Sequence, residues 1–333
     1  VGFEVSRLGD LFTLDLAALP PIDLYDPIET AQPPLYNIPS LGQAADTRSW
    51  VIAPYVLDSI TVSDRLRFLV GGRFDGIDFE DSQSGLVRKS QNFSPSLGLS
   101  YSIFSDIALY ANFSQAFAPP SSQVVGPHDP EESNQFEIGG KAKLMDGKYL
   151  IGLAVYNLER KNIAIPDETG VQKQQGDQRS RGIEFDLTGE LATGLHLFGA
   201  YAFTDAELTR FTELIDPSFG QFPPILVDRS GNTPPFAPRH ILSLYLLKEL
   251  GSGLSLGGGA RYLSEQFIAP DNRFAIDGSL IFDASVAYRL DTWKLSLNLK
   301  NLTGREYETR GFGSASVLPA DPFAIYLGVD FIR

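Results

Sequence analysis

Alternation is the property that most restricts this chain. Between Phe93 and Phe117 (FSPSLGLSYSIFSDIALYANFSQAF) Leu97, Leu99, Tyr101 and Ile103 fall on one side of a two-residue repeat, and Ser96, Gly98, Ser100 and Ser102 on the other. Beyond Phe104-Ser105-Asp106, Ile107, Leu109, Ala111 and Phe113 alternate with Ala108, Tyr110, Asn112 and Ser114. Successive side chains of a strand point to opposite faces, so this stretch reads as two strands, each with an apolar face and a polar or small one. The tight turn between them makes an antiparallel hairpin. Each strand runs to about ten residues, against about five or six in ordinary soluble sheets.

The same unit repeats along the chain. Alternating segments at roughly 3–17, 48–60, 66–80, 93–103, 107–117, 133–144, 148–160, 179–191, 195–209, 237–250, 254–267, 280–290, 294–303 and 322–332 predict about fourteen strands, with no capped helical pattern between them. Neighbours this close in sequence pair as a meander. Short connections are expected at 63–64, 104–106, 145–147, 192–194, 251–253 and 291–292. Long ones are expected near 18–47, 81–91, 118–132, 161–178, 210–236, 268–279 and 304–321, the first rich in proline. This alternation of short and long places every long loop on one rim and every tight turn on the other, the asymmetry of an outer-membrane barrel.

Face composition agrees. Gln135, Glu137, Lys141 and Lys143 oppose Phe136, Ile138 and Leu144; Glu184, Asp186, Thr188 and Glu190 oppose Ile183, Phe185, Leu187 and Leu191; Ser296, Asn298 and Lys300 oppose Leu295, Leu297 and Leu299. Charges collect on a presumed lumen, whereas a Lys or Arg facing lipid at mid-membrane costs about 2–4 kcal/mol. A soluble antiparallel sheet with one solvated face has the same alternation. Strand length and loop asymmetry together favour the barrel. The expected fold is therefore all-β, a transmembrane antiparallel up-and-down β-barrel. The lack of an apolar run of about 18 residues does not oppose this, because a spanning strand alternates.

Composition excludes several functions. A net charge of −14 argues against a nucleic-acid partner, which needs clustered Lys and Arg. The absence of Cys removes disulfides, zinc thiolates and thiol nucleophiles, and three dispersed histidines (His128, His196, His240) make a His-based metal site improbable. No catalytic constellation is visible, so no enzyme is expected. His240 reads as a rim or wall residue. Glu131-Glu132 and the Glu184/Asp186 pair read as loop solvation and lumen charge. Val1 enters a strand-like pattern with neither an initiator Met nor an apolar leader, so a segment of a longer chain is expected.

Eight stretches together carry a family resemblance. They are Leu69-Val70-Gly71-Gly72-Arg73-Phe74-Asp75, Tyr110-Ala111-Asn112-Phe113-Ser114-Gln115-Ala116-Phe117-Ala118-Pro119, Gln135-Phe136-Glu137-Ile138-Gly139-Gly140-Lys141 and Ala154-Val155-Tyr156-Asn157-Leu158. The others are Arg179-Ser180-Arg181-Gly182-Ile183-Glu184, Tyr201-Ala202-Phe203-Thr204-Asp205-Ala206-Glu207, Gly231-Asn232-Thr233-Pro234 followed by Pro238-Arg239-His240, and Asn301-Leu302-Thr303-Gly304-Arg305-Glu306-Tyr307. In this order and spacing the chain resembles the barrel half of TonB-dependent outer-membrane siderophore receptors, most closely the ferrichrome (hydroxamate siderophore) type.

The resemblance implies a 22-stranded barrel plugged by a separate amino-terminal domain, with residues 1–333 a partial barrel domain supplying about the last fourteen strands. It implies active uptake of a ferric siderophore, with no resident cofactor. Coupling would run to the TonB–ExbB–ExbD complex through the missing plug and its TonB box. It also implies residence in the bacterial outer membrane, against lipid and lipopolysaccharide. A passive, porin-like channel closed from these strands alone is the alternative. Aromatic rings on the long-loop rim suit a compact ferric chelate, because they offer contact area at low entropy cost. Candidates are Tyr25, Tyr36, Phe219, Phe222, Phe267, Phe274 and Phe312. The resemblance singles out Phe312, five residues past Tyr307, as a ligand contact, with Tyr36 and Tyr25 next. Arg179, Arg181 and Glu184 are expected to form a charge network that orders a loop. The family ends on an aromatic residue, whereas here Ile332 and Arg333 follow Phe331.

Overall fold

The structure, a computed structural model, describes residues 1–14, 17–18, 36–37, 43–118, 129–165, 174–215, 225–312 and 316–331. Among them there is no helix, and fourteen strands form one antiparallel sheet. They are β1 (Gly2–Leu14), β2 (Gln43–Thr61), β3 (Leu66–Asp81), β4 (Leu86–Phe104), β5 (Ile107–Ala118), β6 (Glu131–Leu144) and β7 (Tyr149–Ile165). Then follow β8 (Gln174–Ala192), β9 (Leu195–Arg210), β10 (His240–Leu250), β11 (Leu254–Leu263), β12 (Ser279–Leu290), β13 (Trp293–Lys300) and β14 (Ala324–Phe331). Every strand pairs with its chain neighbour, as a meander requires. β1 and β14 are not bonded to each other, so the sheet is open. A pore closed from these fourteen strands alone is therefore not the architecture.

Register carries each apolar face from strand to strand. Ile138 lies opposite Val155, Val155 opposite Ile183 and Ile183 opposite Phe203. On the other flank Leu256 faces Val286, Val286 faces Leu297 and Leu297 faces Leu327. These side chains are uncovered: Ile138 is 53%, Leu153 51% and Val329 64% exposed. A contiguous apolar surface of this extent does not face water, and a slip of one residue would turn its charged partners onto it. It is a lipid-facing belt. Trp293 and Phe331 close its tight-turn margin, ring centroids 4.9 Å apart. Tyr201, Phe203 and His240 lie towards the long-loop margin, with the Tyr201 hydroxyl 2.9 Å from His240 Nδ1. The expected wall position of His240 is thereby located.

On the inner face tyrosines lie flat across glycines. The Tyr156 hydroxyl reaches Thr204 Oγ1 at 2.9 Å, two strands away. A Cβ on Gly182, in the strand between, would stand 2.6 Å from the tip of that ring. Tyr245 repeats the arrangement, bonding Ser285 Oγ at 2.8 Å across Gly257, where a Cβ would meet its hydroxyl at 1.9 Å. Gly139 likewise leaves room for Tyr110. The rings fill what the glycines leave open and tie alternate strands together.

The tight turns hold the left-handed backbone that two-residue hairpins need. Met145, Asp146 and Gly147 all have positive φ, and Gly253 (φ +85°) sits where a Cβ would be 2.4 Å from the Arg289 carbonyl. The opposite rim departs from expectation. The long loop expected near 81–91 is a turn at 82–85, because β3 and β4 stay paired up to Asp81 and Leu86. The loop expected over 161–178 shrinks too, as β7 runs to Ile165 and β8 starts at Gln174. Both extensions rise above the apolar belt. There both faces meet polar surroundings and the period-two contrast fades: Arg88, Ser90 and Asn92 alternate with Lys89 and Gln91. Two small buried clusters mark this height, Ile163/Ile165/Leu208/Phe211 and Val51/Ala53/Ile77, with Phe117 packed on the second.

Candidate ligand-binding rim

The long-loop rim gathers residues from strands far apart in sequence. It is laced by arginine–carboxylate pairs that link adjoining strands or loops: Arg160–Glu131 (2.5 Å), Arg179–Glu207 (2.7 Å), Arg210–Asp177 (2.8 Å), Arg239–Asp205 (3.5 Å) and Arg88–Asp129. Arg181 donates from Nε to Asn157 Oδ1 at 3.0 Å. Glu184 falls on the opposite face of β8 by the two-residue repeat, so it joins neither arginine. The expected joint network is therefore replaced by two separate links, Arg179 to Glu207 and Arg181 to Asn157. Deeper in the rim Glu213, fully buried, accepts from Arg229 Nε at 2.8 Å. That pair ties together the hairpin of Thr212–Ile215 and Ile225–Asp228.

Two aspartates hold the strand extensions upright. Asp81 accepts from Ser84 Oγ and from the backbone N–H groups of Asp46 and Gln83. Burial alone would raise its pKa, but these hydrogen bonds outweigh it and the carboxyl stays below its ordinary range. Asp177 takes a two-pronged guanidinium from Arg210 at 2.8 and 2.9 Å and the Asn162 N–H at 3.1 Å. Burial again opposes ionisation. The Arg210 hydrogen bonds, the Asn162 N–H and the charges of Arg210 and Lys161 together lower the Asp177 pKa.

Three loops interlock into one block: 229–239, 264–278 and the described residues of 301–323 (301–312 and 316–323). The Asn272 side chain accepts from the Thr233 N–H and donates to the Thr233 carbonyl, both at 2.8 Å. Asn232 Nδ2 donates to the Pro270 carbonyl at 2.7 Å, and Arg305 Nη2 to the Gly278 carbonyl at 2.9 Å. Asn301, only 3% exposed, donates to the Arg305 and Asp321 carbonyls and accepts from the Arg305 N–H. Ile268, Ala269, Pro270 and Ile276 are buried inside. Phe236 holds a left-handed backbone (φ +59°), costly for a bulky side chain, and its N–H is bonded to the Phe267 carbonyl at 2.9 Å. The Arg310 guanidinium lies 5.3 Å from the centre of the Phe236 ring. A cleft of about 460 Å³ opens beside the block, lined by Thr233, Arg239, His240, Glu265, Gln266 and Phe267 among others.

The expected aromatic residues fall unequally. Phe267 and Phe274 belong to the block, and Phe274 is 51% exposed. The backbone of Phe312 lies in it too, pairing with Ser316 in the hairpin of Glu308–Phe312 and Ser316–Pro319. Tyr36 pairs with Ala18 in a separate short ladder. Tyr25, Phe219 and Phe222 lie outside the described residues. Phe236, Arg310, Asn272 and Asn301 are rim residues that sequence reasoning did not single out as site positions. The only local signal is an asparagine at a loop start, suited to positive φ; both Asn272 and Asn301 have it.

Comparison with known proteins identifies the architecture. Residues 4–302 match the family model described as TonB dependent receptor-like, beta-barrel. The metal-pseudopaline receptor CntO of Pseudomonas aeruginosa is 28% identical over 313 residues, covering 87% of this chain and 42% of the relative. The ferrichrome outer membrane transporter/phage receptor of Escherichia coli K12 is 28% identical over 322 residues, covering 89% and 40%. The crystal structure of the siderophore receptor PiuA from Acinetobacter baumannii superposes with a TM-score of 0.74 at 21% identity, over 91% of this chain and 46% of that one. The chain thus spans less than half the length of these relatives. It belongs to the TonB dependent receptor-like β-barrel family, and its sheet is a stretch of barrel wall of the bacterial outer membrane.

Proposed function

We propose that these residues are part of the barrel domain of an outer-membrane receptor that imports ferric siderophores by TonB-dependent active transport, with a hydroxamate-type chelate as ligand. The observation that carries this reading is the likeness, along almost the whole chain, to a ferrichrome transporter. In this reading the open edges of β1 and β14 meet further strands of a larger barrel. The interlocked rim faces outward and captures the chelate, a plug responds to it, and the TonB–ExbB–ExbD complex pulls on that plug. Outer-membrane lipid and lipopolysaccharide surround the apolar belt. Iron is cargo, and no resident cofactor enters the cycle.

Phe312, Tyr36 and Tyr25 are the proposed ligand contacts. Phe312 has the strongest support, because its strand is locked into the three-loop block. The test is equilibrium binding of ferrichrome to the full-length receptor in detergent. Phe312→Ala is expected to weaken binding about tenfold, the loss typical of an aromatic anchor. Unchanged affinity would remove Phe312 from the site.

A further inference from the structure

Among the described residues, most rim arginines with a polar partner meet an oxygen, Arg181 that of the Asn157 side chain and Arg305 the Gly278 carbonyl. Arg73, Arg160, Arg179, Arg210, Arg229 and Arg239 all meet carboxylates. Arg310 meets none among the described residues, and its guanidinium lies over the Phe236 ring instead. A guanidinium over an aromatic face is partly stripped of water and held in place, while its edge N–H donors stay free to bind.

Backbone register sharpens the contrast. Glu308 pairs with Pro319 and Arg310 with Leu318, so a one-residue bulge at Thr309 separates them. Residues opposite 319 and 318 fall on opposite faces of the hairpin, and the nearby acid is carried away from the cation. Arg310, opposite Leu318, and Gly311, opposite Val317, fall on opposite faces. The other face is closed, since a Cβ on Gly311 would stand 2.9 Å from Ile268 Cγ2. Phe236 is fixed in turn by a strained backbone and by the Phe267 carbonyl. Strain of this kind persists where the surroundings over-determine it, and it is enriched at ligand clamps.

We propose that Arg310, braced by Phe236, receives an anionic oxygen group of the ferric chelate, so that the receptor favours a negatively charged chelate over a neutral one of the same size. A carboxylate, or a pair of oxygens on the chelate, matches the planar donor fork of a guanidinium. This deepens the receptor reading and rests on it.

The experiment uses the full-length receptor in detergent with two probes, ferrichrome, which is uncharged, and its tricarboxylate analogue on the same ring. Wild-type protein is expected to bind the carboxylated chelate about tenfold more tightly. Arg310→Gln should abolish that preference and leave ferrichrome affinity within about twofold. Phe236→Leu should reduce the preference in the same direction, because the guanidinium loses its brace. Equal loss for both chelates, or no change for either, would overturn the role of Arg310 alone. Wild-type protein that binds neither chelate would overturn the receptor reading beneath it.

Discussion

At the scale of single residues, the rim depends on how a few polar groups are paired. Asp177 shows the pH consequence. Its folded-state pKa is lowered, so the stability it contributes is fully present above the ordinary carboxylate value of 3.8 and is lost as pH falls through the lower folded value. The junction of β7, β8 and β9 should therefore open below about pH 4. Hydrogen exchange at the Asn162 amide, which Asp177 accepts, reads this directly. Fast exchange confined to the acid range is expected for wild type. Asp177→Asn should exchange fast at neutral pH too, with little further change on acidification. The glycines under Tyr110, Tyr156 and Tyr245 obey a different logic, that of space. They were legible as the small-residue side of an alternating strand. Their partners were not, because Thr204 lies 48 residues from Tyr156 and Ser285 lies 40 from Tyr245.

At the scale of elements, the strands were readable wherever two unlike environments acted on their two faces. β5 and β6 emerge from the alternation of Leu109, Ala111 and Phe113, and of Phe136 and Ile138, almost without error. Reading failed where that contrast ends, in the upper ends of β4, β7 and β8, which sequence alone placed in loops. The three-loop block was illegible for another reason: its bonds join Asn232 to Pro270 and Thr233 to Asn272, positions almost forty apart that look like ordinary loop residues. Asn301 tests whether the block is held as described. Asn301→Ala removes both donors and the acceptor for Arg305 and puts a Cβ-bearing apolar residue at φ +49°. A loss of about 2–4 kcal/mol is expected, with Asn301→Gly recovering about 1 kcal/mol of it. Urea unfolding of the full-length protein in detergent measures both. Equal stability of the two variants would show that the left-handed backbone contributes nothing.

At the scale of the whole molecule, an open antiparallel sheet with an apolar outer belt and a polar inner face makes sense as part of a larger barrel. Strand length and rim asymmetry already pointed to a membrane barrel, and the family match agrees. The proposed ligand contacts were less legible, because loops carry them and loops lack the two-faced contrast that marks a strand. The account stands or falls on transport. The most direct measurement is uptake of radioactive iron, supplied as ferric hydroxamate, into cells whose only hydroxamate receptor is the full-length protein, with TonB present or deleted. The account predicts saturable uptake that deleting TonB abolishes. Uptake that persists without TonB, or rises linearly with concentration as through an open pore, would contradict it.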